Sequence, residues 1–222
     1  MSNQKNNIDI LKPDPVSHSR EEMLNCITHG IGAILSFIGL VVLVKRAVGN
    51  GEANQIISFS IFGASLTALY ISSSLYHGLR NPRTRKFFKV MDHSTIYLLI
   101  AGSYTPFLLV GVQGRLSWVM MIIIWALAFI GIGFKIFLIN RFMKASVLVY
   151  LLMGWLSVVM LKELAANIPV GGLIWLGTGG ILYTVGVAFY SLKKIPYMHV
   201  VWHFFVLGGS FCHYMAVFHY LS

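Results

Sequence analysis

Residues 116–138 read LSWVMMIIIWALAFIGIGFKIFL, twenty-three positions with one charged side chain. A helix that crosses the hydrocarbon of a bilayer needs about 20 mostly apolar residues, because its backbone groups must be satisfied within the segment. This stretch meets that requirement, and the same pattern repeats on both sides. Upstream, 27–45, 56–77 and 90–111 qualify; downstream, 144–162, 170–190 and 198–220 do. Gly49-Asn50-Gly51, Asn81-Pro82 and Lys193-Lys194-Ile195-Pro196 supply turn chemistry between spans. The weakest break falls around Asn140-Arg141. The sequence therefore predicts an all-α integral membrane protein, a bundle of seven transmembrane helices spanning 22–222. A polar arm over residues 1–21 precedes it, with Pro13 and Pro15 in a stretch that reads as disordered or surface chain.

Composition agrees. The chain is 57% hydrophobic and 11% charged, with a mean hydropathy of +0.75, against about 25% charged residues in a soluble globular domain. The formal charge of +10 does not indicate a nucleic-acid partner, because the basic residues sit in short loops between apolar runs. Lys5, Lys12, Arg20, Arg80, Arg83, Arg85, Lys86, Lys89, Lys135, Arg141, Lys144, Lys193 and Lys194 fall on one face, and Lys45, Arg46, Arg115 and Lys162 on the other. Positive loops stay in the cytoplasm, so the N-terminus is expected inside and the C-terminus outside. No cleavable signal peptide is expected in the polar first 25 residues. Cys26 and Cys212 lie toward different faces, and no disulfide is expected.

Ionisable residues inside a span are costly and need an explanation. His77 ends the second predicted span, Asp92 begins the third, and His199 and His203 open the seventh, so topology alone places all four in one layer near the cytoplasmic face. His199 and His203 are spaced i, i+4 and share a helical face. With His77 they make a three-histidine set suited to zinc, with water in the fourth position. Asp92 is expected to bind or orient that water, and Ser73, one turn before His77, to contact substrate. Other readings remain open at this stage: tolerated interfacial histidines, or Asp92 as a helix N-cap or partner of the basic loop. His18 reads as solvated. His93 points about 100° away from Asp92, and His213 lies roughly 20 Å along the helix from His199; neither they nor His219 are expected to be ligands. His29 is expected to pack beside the site.

The blocks Glu22-x-x-Asn25-x-x-Thr28-His29, Ser73-Ser74-Leu75-Tyr76-His77, Asp92-His93-Ser94 with Gly102-Ser103-Tyr104-Thr105-Pro106, and His199-Val200-Val201-Trp202-His203 occur in the order found in one family. The chain resembles the bacterial hemolysin III proteins, within the superfamily of progestin and adiponectin receptors and alkaline ceramidases. The resemblance covers residues 20 to 220. It implies zinc on His77, His199 and His203, with Asp92 nearby and Ser73 as a partner, and it brings Glu22, Asn25 and His29 in as residues behind the ligands. It also implies a bacterial plasma membrane location. His93 stands where animal receptors tend to carry an aromatic residue, and the arm before Glu22 is shorter than theirs.

The function expected is zinc-dependent hydrolysis of a lipid amide or related membrane lipid, the acyl chains lying among interior apolar residues. The alternative is a non-enzymatic sensor or regulator of membrane lipids with structural zinc. Direct ligation by Asp92 would favour the latter, because it leaves no position for a nucleophilic water. A secreted pore-forming toxin fits poorly with seven spans, and a transporter fits poorly with ionisable groups gathered at one face.

Overall fold

Proline lacks a backbone N–H and suits the first turn of a helix. Two of the described helices begin on one, Pro15 and Pro82. The computed structural model describes residues 15–138 and 143–222, apart from the side chains of 15–18, 138, 143 and 144. Lys5, Lys12, Pro13, Asn140 and Arg141, and the side chains of His18 and Lys144, lie outside the described residues. Within them the chain is helical with no strand, and seven helices are long and apolar enough to cross a membrane. These spans are Ser19–Asn50, Ala53–Gly78, Pro82–Val112, Gly114–Phe137, Ala145–Asn167, Val170–Ser191 and Met198–Tyr220, numbered first to seventh below.

The helices run longer than their apolar stretches. Helix geometry does not stop at the edge of the hydrocarbon, and polar turns extend the spans into the interface. The extension bears most on the site in the third span. It begins at Pro82, where the Asn81 side chain accepts the N–H groups of Arg83 and Thr84 at 3.0 and 3.4 Å. Arg83, Arg85, Lys86 and Lys89, expected in a loop, are thus on the helix. Asp92 is ten residues in, so it caps no helix; Asn81 does. Likewise the first helix starts at Pro15, so residues 15–21 of the expected arm are helical.

Small residues bring the spans together. A Cβ on Gly63 would lie 2.6 Å from Leu40 Cδ1, so the first and second spans meet there backbone to side chain. The seventh span closes the bundle against the first, where Tyr214 donates to the Gly39 carbonyl at 3.3 Å and Arg46 to the Ser222 carbonyl at 3.2 Å. Outward-facing Ile34, Phe37, Trp118, Ile122, Phe129 and Ile174 are exposed. A lipid surround accounts for apolar side chains on that scale, which a soluble monomer rarely shows. The two cysteines are free, and Cys26 lies beside Ser74.

The fifth span changes to a 3-10 helix over Trp155–Met160. Such a break strands backbone groups that lipid cannot satisfy. Tyr104 of the third span repairs it. Its hydroxyl accepts the Ser157 N–H at 2.7 Å and faces the carbonyls of Met153 and Gly154 at 2.9 and 2.8 Å, to one of which it donates. Tyr104→Phe leaves those groups unpaired and is expected to cost about 1–3 kcal/mol, seen as a lower unfolding midpoint in detergent. An unchanged midpoint would show that the hydroxyl does not hold the break.

Candidate metal centre

The third turn of the first span, the end of the second and the start of the seventh converge at one level. The seventh helix follows Tyr197, a left-handed residue (φ 64°, ψ 2°) that reverses the chain after the Lys193–Pro196 turn and puts His199 in the first helical turn. His203 follows one turn later. Across from them, His77 ends the second span.

The three rings form a nearly equilateral triangle. Centroid separations are 5.0 Å for His77–His199, 5.2 Å for His77–His203 and 4.8 Å for His199–His203. One nitrogen from each lies within 4.8 Å of the other two. A tetrahedral ion with bonds of about 2.0–2.1 Å holds its nitrogens about 3.4 Å apart, inside that bound. His77 and His203 are buried and His199 is half-buried.

Hydrogen bonds fix the tautomers of two of the three. Glu22 Oε2 sits 3.0 Å from His77 Nδ1 and 2.8 Å from Arg85 Nη2. A carboxylate held by an arginine only accepts, so His77 carries its proton on Nδ1. Its Nε2 is buried without a hydrogen-bond partner, an orphaned lone pair of the kind a cation satisfies. Thr28 works the same way on His203. Its single hydrogen goes to the Leu24 or Asn25 carbonyl, at 2.9 and 3.0 Å, so its oxygen accepts from His203 Nδ1 at 3.1 Å. Both rings are thereby set to offer Nε2. Donation of the remote N–H to a carboxylate or other oxygen is the usual support of a metal-bound histidine.

His29 lies against His203. Its ring stacks on His203 at 3.5 Å with an interplanar angle of 6°, and both its nitrogens lack a partner in the protein. Asn25 acts through its carbonyl, while its Oδ1 has no hydrogen-bond partner. Asp92 stands outside the ligand group; among the described residues that group is His77, His199 and His203. Its Oδ2 is 3.3 Å from His93 Nδ1, which also faces the Lys89 carbonyl at 2.9 Å. His213 and His219 are not in the group either.

Asp92, Ser73, His29, His199 and His203 line one end of a cavity of about 270 Å³. The cavity continues between the third, fifth, sixth and seventh spans to Phe107, Leu108, Leu164 and Leu173, with His213 on its wall. From Asp92 to Phe107 the third span rises roughly 22 Å. Trp155, Val158 and Leu161 line it while being 42%, 53% and 57% exposed, so the wall there is one side chain thick.

Residues 17–214 match the sequence pattern of the Haemolysin-III related family. The chain belongs to that family. It is 48% identical over 202 residues to Hemolysin-3 of Bacillus cereus, covering 91% of this chain and 92% of that protein. It is 48% identical over 201 residues to the Hemolysin-3 homolog of Bacillus subtilis (strain 168), covering 90% and 94%. The monocyte to macrophage differentiation factor of Homo sapiens is 28% identical over 207 residues, covering 90% of this chain and 84% of that protein. Placement in the wider progestin and adiponectin receptor superfamily is consistent with haemolysin III membership.

Behind the three histidines of this haemolysin III chain, the sequence names Glu22 without saying what it holds, and it does not point to Thr28 or Arg85. Thr28 and Glu22 stand in the same block as His29, but only the packed bundle puts one against His203 and the other against His77. In the sequence Arg85 bears on topology alone. Glu22→Gln and Thr28→Val are each expected to weaken metal retention about 10- to 100-fold in competition with a chelator. Variants that hold metal as tightly as the parent would show that ring orientation is set elsewhere.

Proposed function

We propose that the chain is a zinc-dependent hydrolase of a lipid amide or related membrane lipid, with His77, His199 and His203 as ligands, Asp92 as general base and Ser73 as the substrate-contacting hydroxyl. The observation that carries this reading is the position of Asp92, which lines the same cavity as His199 and His203 but stands outside the ligand group. Three neutral imidazoles leave a tetrahedral ion one open position and its full charge. A fourth ligand from Asp92 would instead close the site, the arrangement a purely structural zinc requires.

Zinc held there supplies a Lewis acid that polarises a carbonyl and lowers the pKa of water to about 7. The protein's own groups do the rest. The Asp92 carboxylate takes the proton of the attacking water and later returns it to the leaving amine. The Ser73 hydroxyl, buried on the same wall, donates to the substrate carbonyl as negative charge grows on its oxygen. Glu22 and Thr28 keep His77 and His203 in the tautomer that leaves Nε2 free. The apolar length of the cavity accepts an acyl chain, and the thin wall at Trp155, Val158 and Leu161 gives a route from the bilayer. The excess of lysine and arginine on the His77–Asp92 side supports a cytoplasmic N-terminus and a site facing the cytoplasm, in the plasma membrane of a bacterium.

Asp92→Asn is expected to keep its zinc and lose about 10²- to 10⁴-fold in hydrolysis of a ceramide-type substrate. Loss of zinc from this variant would make Asp92 a ligand and favour a structural metal in a membrane sensor. Full activity would remove it from the chemistry.

A further inference from the structure

Lysine is rarely buried without a partner, and an unpaired ammonium inside a membrane is expensive. Lys135 lies in the fourth span, is 2% exposed and lines the cavity. Among the described residues it is the one lysine or arginine on that wall. Among the described residues, ion pairs join Glu22 to His77 and Arg85, and Asp92 to His93; none of these reaches Lys135. Its neighbour is the Tyr150 ring, with Nζ 5.9 Å from the centroid, near the outer limit of a cation–π contact. The Tyr150 hydroxyl is turned away from it, donating to the His93 carbonyl at 2.8 Å. A lysine in the last turn of a span ordinarily extends to the interface with its charge in water. Lys135 does sit in the last turn, but its burial and its place on the wall turn it inward.

Its depth follows from the packing of two antiparallel helices. Gly131 of the fourth span abuts the Tyr97 ring of the third. Four residues on, about 6 Å toward the end of the fourth helix, lies Lys135. Four residues back along the third span lies His93. Lys135 is therefore level with the Asp92–His93 turn.

We infer that Lys135 is the anion-recognition group of this cavity. Its ammonium receives the carboxylate or phosphate oxygens of a membrane amphiphile whose chain lies along the apolar length toward Phe107 and Leu173. The anion supplies the counter-ion that the protein omits, and it places the charged end of the ligand between Lys135 and the histidine layer. The inference rests on the proposed function only in taking this cavity as the place where lipid binds.

The test compares three amphiphiles with one oleoyl chain, namely oleate, oleoyl lysophosphatidate and uncharged monoolein, titrated calorimetrically into the full chain in a nonionic detergent. The parent is expected to favour at least one anion over monoolein by roughly 10- to 100-fold; which one distinguishes carboxylate from phosphate. Lys135→Met should abolish the preference while monoolein affinity stays within about twofold, and Lys135→Arg should retain it. A cooperative thermal unfolding transition reports whether each variant is folded, with Lys135→Gln replacing the Met variant if that fails. Equal binding of all three by the parent, or an anion preference surviving in Lys135→Met or Lys135→Gln, overturns the inference. Titration of the His203→Ala protein separates it from the hydrolase reading. A preference that persists there belongs to Lys135 whether or not any lipid is hydrolysed. One lost there and kept in Lys135→Met belongs to the metal centre and refutes the role of Lys135.

Discussion

The Glu22 carboxylate is shared between Arg85 and His77, at 2.8 and 3.0 Å, and much of the site depends on that one interaction. It ties the first, second and third spans together at the level of the histidines. It also neutralises the arginine that faces it and fixes the proton of His77 on Nδ1. Thr28 does for His203 what Glu22 does for His77, using a hydroxyl whose hydrogen is already given to the first helix. The constraint behind both is general: a polar group in a membrane interior must find its partner within the protein. His77 Nε2 has none, and its buried lone pair is of the kind a cation satisfies.

The same constraint explains the irregular places in the bundle. The 3-10 stretch of the fifth span would be untenable against lipid without the Tyr104 hydroxyl, which takes up the stranded groups. At Ser210, hydroxyls of Tyr70 and Tyr183 meet at 2.7 and 2.8 Å, linking the second, sixth and seventh spans through polar atoms. The apolar face of the molecule is left to the bilayer, and the polar atoms are gathered inside, around one elongated cavity.

Much of this was legible in the sequence because it depends on local pattern. Seven apolar runs gave seven spans, and the i, i+4 spacing of His199 and His203, set against His77 by topology, gave the triangle. The helix starts were less legible. The basic run Arg83–Lys89 reads as a loop by polarity, yet the Asn81 cap and Pro82 make it helical, and this moves Asp92 from a presumed helix end to the middle of one. The partners Arg85 and Thr28 were invisible for a different reason. Each acts across a span-to-span contact, and periodicity along one helix carries no information about which neighbouring side chain it meets. Lys135 was counted for topology because one sequence position cannot say whether a lysine near a helix end turns outward or in.

These observations make the chain a haemolysin III family membrane protein with a histidine triangle, two of whose members, His199 and His203, line an elongated cavity. The chemistry proposed for it depends first on a metal being there. The most direct measurement is metal content by plasma mass spectrometry on gently purified protein, alongside His77→Ala, His199→Ala, His203→Ala and His213→Ala. The account predicts about one zinc per chain in the parent and in the His213 variant, and none in the other three. A parent without zinc, or a His203 variant that keeps it, would contradict the account.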